Sequence, residues 1–242
     1  MSALGDWLGR GVGNWLTGFK SRHGLDAPAP TGGVANETPS GPILLHIGCG
    51  FATLDHIPIA GFQQGDWQEL RLDADASVDP DIEGTMTDMA SVATGFADAI
   101  YSSHGIEHLY WHDVPKAFGE FLRVLKDDGF AVITCPDVQA AAAMIAEDRM
   151  FDTAYESPAG TITPFDILYS YRPFVEQNPQ WMSHHCGFTF STLTQKLREA
   201  GFPAVAGFRR PDAFDLWVVA SKSPRSEDAM RALAQNYLVS HT

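Results

Sequence analysis

Apolar residues in this chain recur at two spacings. Short runs at Ile43–Ile47, Glu69–Asp73, Ala97–Ser102 and Phe130–Thr134 read as buried strands, because a strand covered on both faces shows no polar alternation. Between the last two, Val114, Phe118, Phe121, Leu122 and Leu125 fall on one side of a predicted helix. Strands that alternate with helices predict an α/β fold, a mostly parallel sheet with helices on both faces. Farther on, Ser191–Ala200 reads as a helix stopped by Gly201. Ala204–Phe208 and Phe214–Ser221, with Arg209-Arg-Pro-Asp212 between them, predict a closing hairpin whose last strand is antiparallel.

At the start of the chain, Leu4, Trp7, Leu8, Trp15, Leu16 and Phe19 form the stripe of an amphipathic helix. Its interior glycines each cost about 1 kcal/mol relative to alanine, so it needs a surface to pack on: its own domain, which is the favoured reading, a second copy in a homodimer, or a partner. The Pro/Gly-rich stretch that follows reads as a linker, giving an arm over residues 1–41, a main domain over 42–221 and a helical tail over 222–242.

Composition narrows the partners. With 16 basic and 30 acidic side chains the net charge is −14, which repels phosphate backbones and anionic lipid, so neither nucleic acid nor membrane is expected. The three cysteines lie far apart without a C-x-x-C pair, which predicts a reduced, cytoplasmic protein. No run approaches the ~18 apolar residues of a spanning helix, and no basic region precedes an apolar one at the N-terminus.

The candidate chemistry begins at Ile43-Leu-Leu-His-Ile-Gly-Cys-Gly50, a strand running into glycines that let the backbone turn sharply against a ligand. Asp73 closes the next run 23 residues after Gly50, near the ~20-residue offset at which an acid receives ribose hydroxyls. The third glycine of a dinucleotide fingerprint would fall at Thr53, so a nucleoside without pyrophosphate is expected.

Read in order, Ile47-Gly-Cys-Gly50, Leu72-Asp73, Thr87-Asp-Met89, Ala97–His104, Glu107-His-Leu109, Arg123–Gly129 and Thr134-Cys-Pro-Asp137 resemble class I S-adenosylmethionine-dependent methyltransferases over about residues 42–221. Ser103–Leu109, Thr161–Asp166 and His185-Cys-Gly-Phe-Thr189 are similar to a bacterial subgroup whose substrate is unknown. The resemblance implies a Rossmann-like seven-stranded sheet, S-adenosyl-L-methionine as cofactor and a small-molecule acceptor. It implies Gly48 and Gly50 under the methionine part, Asp73 on the ribose, and Asp88 with Met89 beside the adenine; His46, Cys49 and Ser102 complete the expected cofactor set. His46 stands where many members carry an acid, and Ala52 where many carry a third glycine.

In such sheets the ligand crevice lies beyond the carboxyl ends of the strands, here Ser102, Ser103, His104, Pro136 and Asp137. His104 is the expected base, with Ser103 beside it as the second catalytic candidate. Glu107 and His108 read as structural residues opening the next helix. Glu156–Thr189 is long for a connection and reads as a lid. Within it, Tyr171, Phe174, Trp181 and Met182 supply aromatic and apolar walls, and Tyr169, Arg172, His184 and His185 are the expected acceptor contacts.

Two alternatives stay open. One is a protein that binds S-adenosylmethionine without turnover. The other is a zinc peptidase, because His104-Gly-Ile-Glu-His108 matches H-x-x-E-H, with His112 continuing the face and Glu120 or His185 able to complete a site. Gly105 is poor inside a helix, so His104 and His108 are expected to be divided between a strand end and a helix, and no metal is expected.

Overall fold

A computed structural model describes residues 41–238; the N-terminal stripe, most of the linker and the end of the tail lie outside them. The strands are β1 (Ile43–Ile47), β2 (Gln68–Asp73), β3 (Ile82–Glu83), β4 (Ala97–Ser103), β5 (Leu125–Pro136), β6 (Tyr155–Ser157), β7 (Gly160–Ile162), β8 (Ala204–Arg210) and β9 (Asp215–Ser221). Seven of them form one sheet in the order β3-β2-β1-β4-β5-β9-β8, while β6 and β7 pair as a separate hairpin. The pairs among β1 to β5 are parallel, and β9 runs antiparallel to both β5 and β8. This is the mostly parallel, Rossmann-like sheet with an antiparallel last strand, and a step back to β1 and across to β4 puts a crevice at the strand ends.

Strand alternation divides the core. Leu45, Ile47, Ile100, Ala131 and Ile133 face the layer containing Phe118, Phe121, Leu193 and Leu197. Leu44, Ala99, Tyr101, Val132 and Trp217 face the opposite layer with Phe62 and Met230. The first layer is supplied by helices Val114–Val124 and Phe190–Ala200, the second by Ala60–Gln63 and Glu227–Tyr237.

Local chemistry sets the element ends. Thr189 caps helix Phe190–Ala200 in a reciprocal box with Thr192, and Gly201 ends it at φ +113°, a conformation that favours glycine. The helix predicted through Leu125 stops at Val124, because Leu125 turns extended and pairs with Ala97 at the head of β5. Among the described residues no helix is long and apolar enough to cross a membrane.

Candidate active site

A cavity of about 720 Å³ opens at the carboxyl ends of β1, β2, β4 and β5, within the ~300–1,000 Å³ usual for small-molecule sites. Gly48 and Gly50 line it with φ +66° and +52°, left-handed values that follow from turning the chain directly out of β1. Asp73 locks the loop: its Oδ2 accepts the Gly50 N–H at 2.8 Å and its Oδ1 accepts the Asp75 N–H at 3.0 Å. A carboxylate has about four acceptor positions, so about two remain. Arg71, which carried no signal in the sequence, staples the same loops by donating to the carbonyls of Gly50 (2.6 Å), Ala52 (3.0 Å), Val78 (3.1 Å) and Asp79 (2.8 Å). Cys49 also lines the cavity, and burial pushes its thiol up to about 12, so it is a packing residue and not a nucleophile.

Several expected cofactor contacts lie elsewhere. His46 points to the other face of the sheet, where its Nδ1 meets Glu69 Oε1 at 2.7 Å and its ring packs on Tyr101. Strand parity is the reason: Leu44 and His46 share that face, whereas Leu45 and Ile47 face the opposite layer. Ser102 is fully buried and does not reach the cavity. Met89 is drawn into the core by its N–H bond to Glu120 Oε2 (2.8 Å), and Asp88 is exposed, capping Ala90. The residues that instead line this side of the cavity are Gly84, Thr85, Met86 and Thr87.

The far side is built after β4. Ser103 and His104 line the cavity, and His104 itself adopts φ +51°, uncommon for a residue with a side chain. Its N–H donates to Thr134 O at 2.9 Å, tying the turn to β5. Its Nδ1 stands 3.3 Å from Oε1 of the buried Glu107, on the short helix Ile106–His108. Burial opposes charge on His104, but the Glu107 carboxylate outweighs it and raises the imidazole above 6.5. Burial likewise pushes Glu107 up, yet the surrounding His104, His108 and His184 hold it at about 2. Burial, with help from His108 and His104, drives His184 down to about 4.

The left-handed turn gives a test. His104→Gly is expected to be more stable than His104→Ala by about 1 kcal/mol in urea unfolding, since both lose the imidazole and only alanine retains the strain. Equal stabilities would mean that the turn relaxes.

The segment from Tyr155 to Met182 contributes β6, β7 and the short helices Pro164–Tyr169, Arg172–Gln177 and Pro179–Met182. Tyr155, Tyr171, Phe174, Trp181, Met182 and His184 line the cavity, and Asn178 Nδ2 reaches Asp75 Oδ2 at 3.5 Å. Three expected acceptor contacts are displaced. Arg172 is committed to Asp166, donating from Nε to Oδ1 at 2.9 Å, and lies against Phe151 and Phe165; it anchors the segment. Tyr169 packs on Phe165 with half its surface in solvent. His185 is exposed and stacks on Tyr110 at 4.3 Å, because neighbours on an extended stretch point to opposite sides and His184 takes the inner one. Asp137 is fully buried, capping helix Val138–Ala146 and paired with Arg209.

Among the described residues no lysine or arginine lines the cavity, whereas Asp73, Asp75, Glu107, Asp113, Asp166 and Asp215 do. Asp166 and Asp215 are already paired with Arg172 and Arg210, so Asp73, Asp75 and Asp113 are the acids left to meet a cationic ligand. Sheet order, glycine loop and the acid after β2 are those expected from the resemblance to class I S-adenosylmethionine-dependent methyltransferases. Residues 45–133, from β1 into β5, match the family model described as a methyltransferase domain. No curated protein matches the chain. The CMeT domain of the citrinin polyketide synthase is similar at TM-score 0.50 and 13% identity, over 76% of this chain and 47% of that one. A SAM-dependent methyltransferase from Archaeoglobus fulgidus is similar at TM-score 0.50 and 13% identity, over 75% of this chain and 86% of that one. The chain thus spans about half the length of the polyketide synthase structure and most of the archaeal protein. These likenesses are of fold.

Proposed function

We propose that the protein transfers a methyl group from S-adenosylmethionine to a small-molecule acceptor inside this cavity. The observation that carries this reading is the pair of left-handed glycines, Gly48 bonded to the Leu72 carbonyl and Gly50 to Asp73, beside a cavity that no lysine or arginine lines among the described residues. Gly48 and Gly50 pass under the methionine part, and the two unused acceptor positions of Asp73 take the ribose hydroxyls. Met86, a polarizable apolar side chain, takes the adenine contact first expected of Met89, with Thr85 and Thr87 beside it.

Bound there, S-adenosylmethionine supplies a methyl group on a sulfonium, reactive enough that the protein's work is chiefly positional. The acceptor lies between that methyl group and His104, held by Tyr155, Phe174 and His184. His104 receives the acceptor's proton at a ring nitrogen, and Glu107 holds the imidazole and favours its charged form. Ser103 lines the same wall and positions the acceptor. The Tyr155–Met182 segment acts as the lid, excluding water from both reactants.

The same reading places the enzyme in the reducing cytoplasm of a bacterium, consistent with three cysteines that form no disulfide. Its acidity disfavours nucleic acid, and the N-terminal stripe is the element for pairing two copies. Native mass spectrometry of freshly purified protein tests the cofactor: one S-adenosylmethionine or S-adenosylhomocysteine per chain is expected. Retention of NAD in place of either would replace methyl transfer with hydride chemistry.

A further inference from the structure

We propose that Glu107, His108 and His184 form a binding site for a divalent transition-metal ion beside His104. One potential ligand atom from each lies within 4.8 Å of the others, so small side-chain rotations bring all three to the ~2.0–2.2 Å that such ions require. Glu107 is the first reason. Its side chain is 1% exposed, and the one close polar side chain on its carboxylate is His104, with Nδ1 3.3 Å from Oε1, so Oε2 has no close donor. A buried carboxylate with one oxygen left unpaired is costly, and a cation between it and two further imidazoles lowers that cost.

The imidazoles are the second, independent reason. His108 Nδ1 lies 3.1 Å from Ser183 O, and His184 Nδ1 lies 3.1 Å from Ile167 O. A carbonyl only accepts, so each ring donates from Nδ1 and is left with the Nε2 lone pair as a ligand. Orientation of a ligating histidine by a backbone carbonyl on its other nitrogen is the usual support of a metal site. Two imidazoles and one carboxylate select zinc, manganese or iron over calcium and magnesium, and three protein ligands leave a position open to the cavity.

The peptidase-like motif is thereby divided in a way its spacing did not show. His104 stays on the strand-end turn, Glu107 and His108 face the site, and the third ligand is His184. Glu120 instead pairs with Arg123, and His185 faces outward. Binding of the ion is independent of methyl transfer; that its open position would hold an acceptor oxygen or nitrogen rests on the function proposed above.

The test uses the full-length chain, prepared without a histidine tag and stripped with chelator, titrated calorimetrically with zinc alone. One ion per chain is expected, with affinity reduced at least tenfold in Glu107→Gln and in His184→Ala. His112→Ala, at an exposed histidine, should stay within twofold. Should Glu107→Gln fail to fold by circular dichroism, His184→Ala decides. No stoichiometric zinc, or zinc bound equally by His184→Ala and the parent, overturns the site. S-adenosylhomocysteine titrated into the same stripped protein separates the two proposals: its binding without zinc binding overturns only the metal site, and zinc binding without it supports the site while overturning methyl transfer.

Discussion

Asp73→Ala is expected to weaken S-adenosylhomocysteine binding by about 10- to 100-fold, roughly 1.4–2.8 kcal/mol. Two losses add in the same direction. The ribose hydroxyls lose their acceptor, worth about 1–3 kcal/mol, and the N–H groups of Gly50 and Asp75 lose the carboxylate that holds the loop in shape. Gly48→Val is expected to remove detectable binding altogether. Space is not the obstacle, since a Cβ there would meet Met86 Cε at 3.7 Å, an ordinary contact. The obstacle is φ +66°, which a β-branched residue resists, so the turn must rearrange and lose its bond from Gly48 N–H to Leu72 O. Calorimetry on folded variants checks both, and parental affinity in Asp73→Ala would remove the ribose assignment.

The largest loss of stability is expected from Arg71→Met. The substitution keeps an apolar stem but abandons four backbone carbonyls, and hydrogen bonds from a charged donor contribute about 1.5–3 kcal/mol each when water is excluded. Part of the guanidinium meets solvent, so the equivalent of one or two full bonds remains, about 3 kcal/mol. For a domain of this size that lowers Tm by roughly 6–12 °C in calorimetric melting. A shift below about 2 °C would show that the loops around Gly50 and Val78 hold without the staple.

The glycine loop was legible because one physical demand, a left-handed exit from a buried strand, selects one residue type. Asp73 was legible by distance along the chain. The cavity wall after β3 is formed by Gly84–Thr87 and not by Asp88 and Met89, and β3 spans only Ile82–Glu83, so short a strand that it leaves no periodicity from which to count. His46 was misassigned for a related reason: a strand buried on both faces has no polar alternation to reveal parity. Arg172 and its partner Asp166 are six residues apart, yet an arginine among aromatics reads the same whether it waits for an anion or already has one. His184 and His185 differ only in which way an extended backbone turns them. Arg71 could have been suspected only from the three-dimensional meeting of two loops, and Glu107 only from the convergence of three histidines on its carboxylate.

The bond from Asn178 to Asp75 ties the covering segment to the loop that starts at Asp73, so the proposed cofactor and acceptor positions share one chamber beneath one cover. On the reading proposed here, both must pass the same opening, and entry of the second reactant is conditional on how the first has left that opening. Methylated product and S-adenosylhomocysteine face the same constraint on the way out. Turnover is then governed by an order of arrival and departure, and by how often the cover lifts, as much as by transfer of the methyl group itself.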